Sequence, residues 1–166
     1  LMEMKAYTFE GSMGEKIVPI EIPSDLTETV KKWRETMVEK ISETDDVLIE
    51  KFLGGEDISI AELKAALRKA VISTKLIPVL VGTALRNKGV QLVLDAVVEY
   101  LPSPLDIPPA QGTDPKTGAE TEVKVDDAAP FSALAFKVAT DPFVGQLTFF
   151  RVYSGVVKAG SYVLNS

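Results

Sequence analysis

The 166-residue sequence contains neither cysteine nor histidine. Without cysteine there are no disulfides and no thiolate chemistry; without either residue the usual zinc ligands and the commonest general base are missing. Positive charge is also short, with 18 Lys and Arg against 24 Asp and Glu and a formal charge of -6. Such a chain repels phosphate backbones at long range, so DNA is excluded as an expected partner and any RNA contact must be local. No apolar run approaches the roughly 20 residues of a membrane span, and the N-terminus has no basic region followed by an apolar core. A reducing, cytoplasmic location and no membrane partner are the expectations.

A Gly-rich phosphate loop is missing as well. Gly155-Val156-Val157-Lys158-Ala159-Gly160-Ser161 has two glycines at the required interval but no Lys after the second, and it falls between strand-forming segments. Asn87-Lys88-Gly89-Val90 approaches the Asn-Lys-x-Asp pattern that selects guanine, but Val90 cannot accept hydrogen bonds from a base edge. The adjacent carboxylates Asp45-Asp46 and Asp126-Asp127 sit in stretches read as polar loops, with no spacing that suggests a metal cage. No catalytic residue and no metal ligand is expected.

What is present begins with a hairpin, Lys5 to Phe9 and Lys16 to Ile22, around Gly11-Ser12-Met13-Gly14; Pro19 restricts the second strand to one-sided pairing. From Pro23 the period becomes helical: Leu26, Val30, Trp33, Met37 and Ile41 form one face, with Ser24 as N-cap and Trp33 expected in the core. Glu28, Glu35 and Glu39 fall on the opposite, solvated side. Ser59-Ile60-Ala61-Glu62 is a capping box, and Leu63, Leu67, Ala70 and Val71 continue a second helical face.

Leu76 to Val81 is nearly all apolar without alternation, which predicts a strand covered on both faces of a parallel sheet. After a loop from Gly82 to Gly89, Val90, Leu94, Val97 and Leu101 predict an amphipathic helix ended by Pro102 and Pro104. Pro102, Pro104, Pro108 and Pro109 mark a boundary, and Gln111 to Ala129 reads as a polar loop that includes Asp114-Pro115-Lys116-Thr117-Gly118. Ser132 to Ala139, Leu147 to Tyr153 and Tyr162 to Leu164 then predict three strands of an incomplete barrel.

Gly82-Thr83-Ala84-Leu85, following an apolar run and preceding a helix, resembles the fifth guanine-nucleotide element of translational GTPases, usually Ser-Ala-Leu or Ser-Ala-Lys. The surrounding Ile77-Pro78-Val79-Leu80-Val81-Gly82, Asn87-Lys88-Gly89-Val90-Gln91 and Tyr100-Leu101-Pro102-Ser103-Pro104-Leu105-Asp106-Ile107-Pro108 resemble the elongation factor G family. So do Met4-Lys5-Ala6-Tyr7 and Arg151-Val152-Tyr153-Ser154-Gly155, so the resemblance spans the chain.

That resemblance implies an α/β, multi-part fragment of a ribosomal translocase. Residues 1–75 would be the subdomain inserted in its GTPase domain, and 76–102 the last strand-loop-helix of that P-loop domain. Residues 103–128 would be a linker, and 129–166 the start of an antiparallel β-barrel. It implies that the Ala84 N–H meets guanine O6 with help from Leu85, while the Thr83 hydroxyl, in place of Ser, braces the loop. The phosphate loop, the switch segments and the Asn-Lys-x-Asp element would precede Leu1. GTP or GDP would therefore be the ligand of the parent protein, Mg²⁺ would bind only through those missing residues, and the isolated fragment would be no enzyme. Implied partners are the ribosomal stalk protein, facing Glu28, Glu35 and Glu39, and small-subunit RNA, for which Lys137, Arg151 and Lys158 are the available cations. The alternatives are a stalk-binding module without enzymatic activity, or another ribosome-associated GTPase such as a ribosomal protection protein or release factor; the Pro-Ser-Pro-Leu-Asp-Ile-Pro linker favours elongation factor G.

Overall fold

The structure, a computed structural model, describes residues 1–114 and 116–165. It is a mixed fold of four helices and three two-stranded antiparallel hairpins, divided into two compact units, Leu1–Leu101 and Pro102–Ser166.

In the first unit β1 (Ala6–Glu10) pairs with β2 (Lys16–Ile20), from Ala6 opposite Ile20 to Glu10 opposite Lys16, and the last pair is closed by an ion pair at 3.1 Å. Pro19 stands opposite Tyr7 in this two-stranded sheet, where each strand keeps an open edge that tolerates a missing donor. A 3-10 turn, Ser24–Leu26, then leads into α1 (Thr27–Ser42). Ser24 makes no capping bond, because the turn, closed from the Leu26 amide to the Pro23 carbonyl at 3.0 Å, delays the helix start.

Asp45, expected in a loop, caps α2 (Asp46–Gly54) by accepting from the Val47 amide at 3.2 Å, and Gly55 ends that helix at φ 69°. A left-handed residue here satisfies carbonyls of the last turn, as the Glu56 amide to Lys51 oxygen bond at 2.9 Å shows. The capping box of α3 (Ile60–Ile72) forms as expected, with the Ser59 amide donating to Glu62 at 2.9 Å and Glu62 N–H donating to Ser59 Oγ at 3.3 Å. Lys51, at 2.5 Å, and Ser59 hold the Glu62 carboxyl down to about 2.

Leu63 of α3, 0 % exposed, centres a core with Ile41, Leu48, Ile58, Ala66, Leu67 and Tyr100. The last belongs to α4 (Val90–Tyr100), whose C-terminal carbonyls at Glu99 and Leu101 accept from Arg68 at 2.9 and 3.2 Å. Beside them Lys64 holds Glu99 at 2.7 Å and Glu3 at 3.5 Å.

Burial and then the neighbouring Glu99 carboxylate push the Tyr100 phenol up to about 12 from 10.0. A raised phenol pKa means that the folded state keeps this proton where the unfolded chain has lost it, so stability falls as pH rises from about 10 to 12. In an alkaline titration followed at 295 nm, one of the four tyrosines is expected to ionise near pH 12, and Tyr100→Phe should remove that step. Absence of a step near pH 12 in a chain that keeps its helices would contradict the packing described around Tyr100.

Three further expectations fail in this unit. Trp33 is 57 % exposed, because only the C-terminal half of α1 reaches the core, where Ile41 and Ser42 are buried. No residue from 76 to 82 joins a ladder, so the strand preceding α4 is not formed among the described residues. Val79 is 85 % exposed there, and Leu94, Val97 and Leu101, the expected buried face of α4, are exposed too. A parallel strand forms only against a neighbouring strand, and no described segment offers one.

The second unit contains a hairpin where a loop was expected: β3 (Ala110–Thr113) pairs with β4 (Glu120–Val123). Asp114 builds its turn by accepting from the Lys116 and Thr117 amides at 2.7 and 3.1 Å. Pro115, part of the turn expected from sequence, lies outside the described residues. The long hairpin of β5 (Ser132–Asp141) and β6 (Gly145–Ser154) carries a register shift between Ala135 and Lys137, and Phe131 packs edge-on against Phe150 at 6.3 Å. Tyr162 to Leu164, expected as a third strand, has no ladder partner, and no barrel closes among the described residues. No described helix is long and apolar enough to cross a membrane.

Candidate functional site

The loop before α4 is a closed structure. The Thr83 amide donates to the Lys88 carbonyl at 2.8 Å and the Lys88 amide returns a bond to Thr83 at 3.1 Å, forming an isolated bridge. Within it Ala84–Arg86 forms a 3-10 turn, with Arg86 N–H donating to Thr83 and Asn87 N–H to Ala84. Asn87 ends the turn at φ 52°, a conformation that asparagine accepts more readily than most residues.

Two glycines close the base of the loop. A Cβ on Gly82 would lie 2.8 Å from the Lys88 carbonyl oxygen, and one on Gly89 would lie 3.2 Å from both the Gly82 Cα and the Val81 oxygen. A side chain at Gly82 would therefore force the two backbones apart, and one at Gly89 would be tight and, at φ 83°, strained.

The three residues singled out from the sequence, Thr83, Ala84 and Leu85, lie together on this loop and are exposed, Leu85 at 88 %. The amides of Ala84 and Leu85 head the 3-10 turn, a position with no intrahelical acceptor. Chemically, the loop offers two backbone donors on a closed frame. A planar acceptor such as a base carbonyl could take them without any side chain's help.

Glu28, Glu35 and Glu39 are all exposed on α1. Positions 7 and 11 residues apart return to within about 40° on a helix, so they form one stripe. Glu28 pairs with Lys31 at 3.2 Å. Glu35 borders an open hollow of about 300 Å³ with Arg34, Phe52 and Ile58, while a second, of about 280 Å³, lies by Asp45, Leu48 and Lys69. Neither hollow reaches Thr83, Ala84 or Leu85.

Of the adjacent acids, Asp45 is held below the usual carboxylate range, first by Lys69 at 3.2 Å and also by the helix amides it caps. It serves as a structural cap, a role its position before an apolar stretch could have revealed. Asp126 accepts from the Ala128 amide at 2.9 Å, another turn. In the second unit, Lys137 lies over the Phe149 ring at 5.6 Å and Arg151 over Tyr153 at 5.2 Å. Two of the three cations considered for RNA are thus engaged with aromatic faces.

No protein-family model matches the sequence. Among solved structures the chain is similar to the crystal structure of ttk003000868 from Thermus thermophilus, with a TM-score of 0.71 and 32 % identity over 96 % of this chain. That alignment covers 21 % of the Thermus chain, so the protein described here spans about a fifth of the length of its structural relative.

Proposed function

We propose that this chain is a segment of an elongation factor G type translocase, a GTP-hydrolysing factor that moves tRNA and mRNA on the ribosome, and that its Thr83–Lys88 loop forms one wall of the guanine pocket. The observation that carries the reading is the closed loop ahead of α4, which holds the exposed residues Ala84 and Leu85 at the head of a 3-10 turn, where their amides have no intrahelical acceptor. The sequence motifs around it and the similarity to a much longer chain support the same reading. On this reading the unpaired run 76–82 and the exposed face of α4 belong against the rest of a parallel nucleotide-binding sheet, and the β5–β6 hairpin opens the barrel domain that follows.

Catalysis belongs to groups outside this segment. The chain brings no phosphate loop, so it supplies base contacts alone and is no GTPase by itself; GTP and GDP are ligands of the whole factor. Ribosomal protection proteins and release factors share these requirements, but the Pro102 to Pro108 linker favours the translocase. The decisive test is guanine-nucleotide binding by the full-length protein with and without the Ala84 backbone donor.

The stripe of Glu28, Glu35 and Glu39 supports a second, compatible role as a docking face for the C-terminal domain of the ribosomal stalk protein. Complementary charge acts mainly on encounter rate. Reversing the three glutamates to lysine is expected to slow stalk-domain association about tenfold at low salt, with a smaller difference at about 0.5 M salt. Stopped-flow rates that ignore both the substitutions and the salt would remove this face from the proposal.

A further inference from the structure

We infer that the turn of the first hairpin is a fitted brace for the Thr83–Lys88 loop, with Gly14 and Gln91 as its positioning residues. Gly14 is buried although it lies in a hairpin turn, and it has φ 60°. A Cβ there would lie 2.9 Å from the Arg86 carbonyl oxygen, 3.1 Å from Lys88 Cγ and 3.5 Å from the Asn87 oxygen. The Gln91 side-chain amide, from the first turn of α4, donates to the Gly14 carbonyl at 3.3 Å. The hairpin turn therefore meets both the loop and the helix that follows it, more than 70 residues along the chain.

A close backbone approach is not general to the left-handed glycines: it recurs at Gly155, where a Cβ would lie 2.6 Å from the Ala129 oxygen, but not at most turn positions. Gly118, Gly145 and Gly160 are also left-handed, and a Cβ on any of them would meet nothing within 4 Å. Gly11, in the same hairpin turn at φ 93°, faces only the flexible Glu15 side chain. Backbone conformation alone explains a glycine at those four sites. At Gly14 the missing side chain is also what lets two backbones touch.

The contacts fall on residues 86, 87, 88 and 91, and Thr83, Ala84 and Leu85 stay exposed. The brace thus holds the loop without covering its donors. Resting on the guanine-pocket reading above, the hairpin sets the direction of the base-contacting amides, and a displacement of the hairpin would be felt as a change in nucleotide release.

Amide hydrogen exchange on the 166-residue chain reads the brace without nucleotide. Gly14→Ala and Gln91→Met are expected to speed exchange at Thr83 and Lys88 about tenfold, whereas Gly11→Ala, strained in the same turn, leaves those amides unchanged. Equal loosening by both glycine variants, or wild-type exchange in Gly14→Ala and Gln91→Met, would overturn the brace. Should Gly14→Ala fail to fold, Gln91→Met decides, since it leaves the turn backbone intact. GDP release from the full-length protein then separates this inference from the reading beneath it. Release about tenfold faster in Gly14→Ala and Gln91→Met but not in Gly11→Ala supports positioning; a loosened loop with unchanged release overturns it. Absence of GDP binding by the wild-type full-length protein overturns the nucleotide reading and the positioning role with it, while the exchange result still decides the mechanical brace.

Discussion

Replacing Ala84 with proline in the full-length protein is expected to weaken GDP and GTP binding about 10- to 100-fold, while Ala84→Ser stays within about threefold of wild type. The proposed contact is a backbone N–H, which serine keeps and proline deletes. An acceptor left buried without its donor costs about 1–3 kcal/mol, and each 1.4 kcal/mol is tenfold in affinity. The loop itself should survive. Ala84 is the first residue of its 3-10 turn, where proline is tolerated, and Thr83 at φ -120°, ψ 90° is extended and needs only a modest rise in ψ to precede a proline. The bonds that close the loop use the amides of Thr83, Arg86, Asn87 and Lys88, and none uses that of Ala84. Equal nucleotide affinity in Ala84→Pro and wild type, with the loop amides still protected, would take the Ala84 donor out of the guanine pocket.

Leu63→Ala is expected to destabilise the first unit by about 2–5 kcal/mol, the range for a buried leucine truncated in a core that relaxes only partly. For a unit of this size, that corresponds to a fall in Tm of roughly 10–20 °C. Circular dichroism at 222 nm isolates the effect, because all four helices lie in Leu1–Leu101. Leu53→Ala, at a position 78 % exposed on α2, should stay within about 0.5 kcal/mol of wild type. Matching transitions for the two variants would mean that Leu63 does not centre the core.

The contrast between those two leucines shows how much is readable in advance. Leu63 follows a capping box at helical spacing, so both its helix and its inward face are legible from a few neighbouring residues. Asp45 is legible as a cap only from its place before an apolar stretch, while its Lys69 partner, 24 residues further on, is supplied by the fold alone. Trp33 belongs to the apolar stripe of α1, but periodicity reports which way a side chain points and not whether another element reaches it. The β3–β4 hairpin escapes for a related reason, because its four-residue strands are mostly polar and carry little apolar alternation.

The candidate site divides in the same way. Thr83, Ala84 and Leu85 can be singled out from their order and neighbourhood, whereas Gly14 gives only a turn signal and Gln91 none. Their association with the loop joins segments more than 70 residues apart, a distance at which local patterns carry no information.

Local chemistry alone therefore determined the α1, α3 and α4 segments, the first and last hairpins and the proline-rich boundary, because caps, turn residues and hydrophobic periods act within a few residues. Only the tertiary structure decided that Trp33 and the face of α4 stay exposed, that residues 76–82 pair with nothing described, and that Gly14 fits against the Arg86 carbonyl. Burial and ladder pairing require a second surface, and whether one is present depends on how distant segments meet.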